Sequence, residues 1–449
     1  MNDAVLAPPA DPAQPAETAR RSGTRILLRH GGIALFLAGW WCFPAGIVHE
    51  VWLWALLFPA LLIHHRESAR QCQPGGTILP AAGWLAALFV LSIAAGHLEG
   101  RREYLHALRD IAALLIFLVS TSSAATDHQW MKTARRICVR IAIISAVVSL
   151  AVFWGVNGGA HFGERLRNWF VHGGQHPVPT GIAWGFAAVW AATGYVAAQT
   201  ARRRLRWAIG VGILAFAMCC CQSRGAALAS TAGFATLLVA GGWRRAWVPL
   251  VIAIGCAATF HGVSTALAWR AEQARTNPKA QLVPSLPPDP GLERLSQDGL
   301  RSWINRGDTG RIHLYGIILS RLANPEERLL GKGWLAPDSA AAEVGWPADH
   351  PHSIWVATLY HHGQTGAAAL AFLMAFFLYR AISIARDHRE PEPLTLLCFG
   401  ITACLFDGQA LHAFTTLPRY EALVFWLPVA LCNGRWLAPA SSPADQNDV

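Results

Sequence analysis

The sequence predicts an all-α integral membrane protein: about twelve transmembrane helices and one long, partly helical loop on the outer, periplasmic side. Three observations predict it. Of 449 residues, 53% are hydrophobic and only 14% are charged, where soluble domains carry about 25% charged residues. Mean hydropathy is positive, at +0.31. Many of the 20 tryptophans stand at the ends of apolar runs (Trp40, Trp41, Trp52, Trp54, Trp207, Trp243, Trp247), where aromatic belts lie at headgroup depth. A soluble chain of this length would need two or three domains with charged surfaces, and the charge is not there. A disordered, collagenous, coiled-coil or disulfide-scaffold protein is excluded by the same composition.

Residues 1–24 read as a disordered cytoplasmic tail, rich in Ala and Pro. The first apolar run, 27–47, has no small-residue cleavage site, so it reads as a span and not a signal peptide. Spans follow near 50–64, 77–98, 108–126, 137–157, 178–199, 207–222, 225–242 and 246–268, completing nine helices within 25–268. Residues 269–352 form the long loop. Residues 353–436 hold an interfacial helix start and three spans near 364–384, 393–411 and 419–436. Residues 437–449 form a second cytoplasmic tail.

Orientation follows from the basic residues between spans. Arg20, Arg21, Arg25 and Arg29 precede the first span. Arg66 and Arg70, Lys132 with Arg135 and Arg136, Arg202 to Arg206, Arg244 and Arg245, and Arg386 and Arg389 follow the even-numbered ones. Both termini are therefore expected in the cytoplasm, and the net charge of +10 is explained without nucleic acid. The outer side also carries Arg101, Arg102, Arg165, Arg167, Arg224 and Arg419. An anionic ligand on that face accounts for them.

The long loop begins with a Pro-rich connector, Asn277 to Gly291. Ile312, Tyr315, Ile318, Leu319 and Leu322 then recur at helical spacing, with Asp308 or Thr309 as cap. The ten cysteines form no zinc pattern, and Cys219, Cys220 and Cys221 read as buried small hydrophobes.

Five constellations carry possible chemistry. Asp349-His350-Pro351-His352-Ser353 closes the loop, and a histidine at a membrane surface can act as a general base. His361 and His362 follow, without a carboxylate or Cys to complete a metal set. Ser223-Arg224-Gly225 places a guanidinium beside a helix start, a favourable phosphate site. Arg311 precedes the loop helix, and Gly331-Lys332-Gly333 follows it without the rest of a P-loop. Gly163-Glu164-Arg165-Leu166 is a charged outer loop, and Asp407 and Arg419 flank the eleventh exit.

Taken in order, these motifs resemble those of the O-antigen ligase and O-antigen polymerase superfamily of bacterial membrane glycosyltransferases. The resemblance covers about residues 140–385. It rests on Ser223-Arg224-Gly225, on Arg311 with Gly331-Lys332-Gly333, on His352-Ser353 running to Leu359 and Gly363-Gln364-Thr365-Gly366, and on Gly163 to Leu166. It implies an inner-membrane enzyme that works at the periplasmic face. The donor is a glycan on undecaprenyl pyrophosphate and the acceptor is lipid A–core, with membrane lipids around it and no metal or other cofactor. His352 is the implied catalytic base. Arg224 and Arg311 are the implied pyrophosphate ligands. Ser223, Arg101, Arg102, Arg165 and Arg419 are further substrate contacts. The outer arginines favour a ligase, whose acceptor is phosphorylated. Polymerase and protein O-oligosaccharyltransferase activities use the same donor and remain alternatives. An anion transporter is a weaker one, since no internal repeat is visible. Ser353 stands where the family often has Asn, and no partner for His352 is evident in the sequence.

Overall fold

The computed structural model describes residues 31–42, 47–63, 69–98, 100–156, 165–170, 176–276, 311–340, 343, 350–414 and 422–438. The chain is all-helical, and no β-strand occurs among these residues. Among the described residues four helices are long and apolar enough to cross a membrane: Arg101–Ala125, His128–Gly155, Trp243–Val263 and Ile354–Asp387. In chain order the helices are α1 Gly31–Trp41, α2 Glu50–Ile63, α3 Ile78–Ala94, α4 Arg101–Ala125, α5 His128–Ala151, α6 Pro177–Ala197, α7 Ala201–Cys220, α8 Arg224–Ala240 and α9 Trp243–Thr276. Then come α10 Arg311–Ser320, α11 Pro325–Leu330, α12 Ile354–Asp387, α13 Glu392–Asp407 and α14 Leu427–Leu437.

The bundle is organised around α6, which is buried at every position from Thr180 to Gly194. Its small residues permit this. A Cβ on Gly185 would lie 2.7 Å from Ser230 Oγ, and one on Gly194 2.7 Å from the Trp207 ring. Neighbouring helices therefore approach its backbone closely, the packing mode that replaces hydrophobic burial inside lipid. α7 and α8 pack on α6, α13 packs on α8, and α14 packs on α4. α9 differs, with only 11% of its apolar stretch buried.

Some expectations change. Trp41 is fully buried and Trp40 nearly so, because Trp41 Nε1 donates to the Ala183 carbonyl at 3.3 Å inside the bundle. They are core residues, not belt residues. Trp243 and Trp247 remain exposed. In α10 the buried stripe is Leu314 and Ile318, continued by Leu322, against Ala340, Val356 and Tyr360. Ile312 faces outward, 70% exposed. The inward face is thus rotated from the one the apolar spacing suggested, since Leu314 and not Ile312 meets α12. Residues 1–24, the connector 277–291, Asp308, Thr309, Asp349, Gly163, Glu164, Arg419 and 439–449 lie outside the described residues.

α12 is broken at Gly363 (φ 61°, ψ −162°), a conformation open almost only to glycine. The break leaves carbonyls of the first segment without helical partners. Lys332 N donates to Tyr360 O at 2.8 Å, and Gly333 N to His361 O at 2.9 Å. The Gly331-Lys332-Gly333 run is thus a docking strap for a helix break. Gly363→Ala would add a Cβ 2.3 Å from Leu329 C and O to a forbidden backbone. We expect a loss of roughly 3 kcal/mol or more, read as a lowered thermal midpoint of the purified protein.

Candidate active site

Five separate parts of the chain meet at one end of the bundle. α8 opens there with Ser223 as its N-cap, the hydroxyl accepting from Ala226 N at 3.3 Å. The turn that aims it contains Gln222 at φ 51°. A Cβ on Gly225 would touch the Cβ atoms of Phe406 and Asp407 at 3.6 and 3.9 Å. The start of α8 therefore abuts the end of α13, bringing Arg224 and Asp407 to the same place. Arg165 clamps the turn, its Nε donating to Cys221 O at 2.9 Å, while Leu166 N donates to Cys220 O at 3.0 Å. Arg311, the first residue of α10, donates to the Phe406 carbonyl, capping the last turn of α13 as a cation should.

His352 enters from the segment before α12. It holds a left-handed backbone, φ 56°, with its N–H donating to His350 Nδ1 at 3.0 Å. That turn aims its Nδ1 at Asp407 Oδ1, 2.6 Å away. Asp407 is 3% exposed. Gly408 lets the chain leave α13 under α12, since a Cβ there would lie 2.3 Å from Ile354 Cγ2 and 2.4 Å from Cys404 O. A carboxylate only accepts, so Nδ1 carries the hydrogen and Nε2 keeps its lone pair. Asp407 thus fixes the orientation of the His352 ring.

His350, His352 and Asp407 each offer one ligand atom, all within 4.8 Å of one another. The donor chemistry suits a hydrogen-bonded dyad better than a cation site. Both Nδ1 atoms are engaged, and Arg311 places its positive charge on Asp407 as well.

Arg224, Arg311, Arg165, Ser223 and His352 therefore lie around residues 406 and 407. Arg101 and Arg102 are exposed at the start of α4, where Arg102 Nε meets His106 Nε2 at 3.4 Å. Among the described residues no hydrogen bond or ion pair joins either to the dyad. Sequence reasoning missed His176, which caps α6, with Nδ1 accepting from Val178 N at 3.4 Å. Partial burial, then the charge of Arg165, lowers its pKa, and Asp407 opposes the shift. The signal available was a histidine directly before a helix-opening proline. The chain matches no protein-family model and no curated protein sequence.

Beneath the dyad lies a second histidine group. His412 Nε2 donates to Trp334 O at 3.2 Å, so its Nδ1 accepts from His362 Nε2 at 3.1 Å. His361 Nδ1 donates to Gly333 O at 2.9 Å. These bonds tie the 408–414 segment to the strap and to the break in α12. Burial, then the charge of His361, pushes the His412 pKa down to about 3. A histidine kept neutral in the fold stabilises it fully above its ordinary pKa, near 6.5, and the contribution declines as pH falls from there towards about 3. His412→Ala should cost roughly 1–3 kcal/mol, by stranding two buried partners. Its thermal midpoint should also fall less steeply with acidification than that of wild type between about pH 6.5 and 4. A midpoint equal to wild type at neutral pH would refute this.

Proposed function

We propose that the chain is an O-antigen ligase, an inverting and metal-independent glycosyltransferase of the inner membrane. On this reading it has twelve spans, both termini in the cytoplasm, and its site at the periplasmic face. It transfers a glycan from undecaprenyl pyrophosphate to lipid A–core. The observation that carries the reading is the His352–Asp407 dyad set against Arg311 and the start of α8.

A second feature supports it. An apolar groove of about 220 Å³ runs between α7, α8 and α9, lined by Met218, Phe234, Leu250 and Ile254, and reaches Gln222 and Ser223. The first isoprene units of a polyprenyl chain suit such a groove, with the pyrophosphate at the α8 N-terminus and Arg224. Chemistry then follows from general acid–base and electrostatic catalysis. His352 Nε2 takes the proton of the acceptor hydroxyl. The oxygen attacks the anomeric carbon, the carbon–oxygen bond to the pyrophosphate breaks, and undecaprenyl pyrophosphate leaves with the electron pair. Arg224 and Arg311 balance its growing negative charge. Arg165, Arg101, Arg102 and Arg419 are assigned to acceptor or donor phosphates.

The test is complementation of a strain lacking its own ligase, with lipopolysaccharide resolved on a gel. Wild type should restore the long-chain ladder. In a purified assay His352→Ala and Asp407→Asn should lose roughly 10²–10⁴-fold in rate, and Arg224→Ala or Arg311→Ala roughly 10²–10³-fold. Activity should survive EDTA. If wild type inserts but restores nothing in a compatible host, the ligase assignment fails, and polymerase and protein-acceptor assays become the next tests of the same residues.

A further inference from the structure

The opposite end of the bundle carries a second concentration of charge that the proposed reaction does not use. α13 begins at Glu392 and ends at Asp407, so the two ends lie about 22 Å apart at 1.5 Å per residue. Around Glu392 are two adjoining cavities of about 450 and 520 Å³, which share Lys132, Arg135, Ala197 and Gln199. Six cations line them: Lys132, Arg135, Arg136, Arg203, Arg245 and Arg389. The lining carboxylates are two, Glu390 and Glu392.

Both carboxylates are already engaged. Arg435 grips Glu390 with two prongs, at 2.6 and 2.5 Å. Glu392 pairs with Arg135 and accepts from Trp190 Nε1 at 2.6 Å. Among the described residues no carboxylate pairs with Arg136, Arg203, Arg245 or Arg389. Lys132 feels the repulsion of Arg135, Arg136 and Arg203 together. Arg135 is 7% exposed, lies over the Trp207 ring at 5.6 Å, and has its buried Nε without a hydrogen-bond partner. A buried N–H left unpaired beside repelling cations is costly. An anion in the cavity offsets the repulsion among the cations that line it.

Depth and lining narrow the ligand. Gly242, on the cavity wall, directly precedes Trp243, which is 69% exposed, and Trp247 is also exposed. Exposed tryptophans at the end of a membrane-length helix mark headgroup level. The lining also includes Met131, Val196 and Ala385, apolar groups of little use to a free ion. We propose that this cavity binds the phosphate of an anionic phospholipid headgroup, with the basic side chains on the phosphate and the apolar wall on the glycerol and first acyl carbons. Basic pockets between helix ends serve this chemistry in membrane proteins.

The site is tested on the purified full-length protein in mild detergent, independently of any transferase activity. Phosphatidylglycerol, phosphatidylcholine and inorganic phosphate are added separately, with thermal midpoint and bound lipid (by native mass spectrometry) as readouts. Phosphatidylglycerol should raise the midpoint and stay bound, and phosphatidylcholine should do neither. The double variant Arg136→Gln/Arg203→Gln should bind phosphatidylglycerol roughly 30-fold more weakly. Arg202→Gln, an exposed arginine off the cavity lining, should bind as wild type does. Equal loss in the Arg202 variant would mean diffuse surface charge and overturn the site. The same shift from inorganic phosphate alone would overturn the lipid assignment.

Discussion

A carboxylate buried at the wrong end of a helix has to be compensated, and Asp407 is such a group. It ends α13, where the helix dipole presents its negative pole, and it is almost wholly out of water. Burying an unpaired charge there would cost several kcal/mol. Each element around it answers that cost. His352 hydrogen-bonds it, Arg311 caps the carbonyl just before it, and the positive pole of α8 abuts it through Gly225. The geometry that solves the charge problem is also the one the proposed base would use. Nδ1 is tied to the carboxylate, and Arg224 and Arg311 stand at the start of α8 and the end of α13. Site and fold share one constraint.

The same segment serves the scaffold. Five residues past Asp407 the chain reaches His412, which joins Trp334 and His362. Those groups are fixed in turn by the strap that feeds N–H groups to the carbonyls freed at Gly363. His352 sits just before α12, whose first segment ends at this break and strap. The hydrogen bonds that join His412, His362, Trp334 and the strap favour one arrangement of this layer over several.

The helical class and the membrane-length runs were legible because apolar length and low charge are direct consequences of a lipid solvent. Ser223, Arg224, Arg311 and His352 were legible as motifs, and the fold brings them to one end of the bundle. What was hidden is long-range. Asp407 is 55 residues from His352, and nothing in local spacing pairs a helix-ending Asp with a histidine in a distant turn. The Gly-Lys-Gly run was visible as a motif and as an incomplete P-loop but not as a strap, because its partner is the distant helix break at Gly363. Trp40 and Trp41 were misplaced because position at a run's end cannot distinguish a belt from a core when the neighbour is as small-sided as α6.

Length along α9 relates the site to the bilayer. The helix leaves Gly242, at the basic cavity, and reaches His261 on the groove wall. From Trp243 to His261 is eighteen residue steps, about 27 Å, close to the roughly 30 Å of a hydrocarbon core. Trp243 at one interface therefore puts His261 near the other. The groove shares that level with Gln222 and Ser223, one turn from the end of α13. A ligand with an apolar tail and an anionic head would meet the dyad where oil gives way to water. The weak burial of α9 leaves the groove's outer wall as a single helix facing lipid, so an entering tail would have only the packing of α9 to displace and none of the interior built on α6.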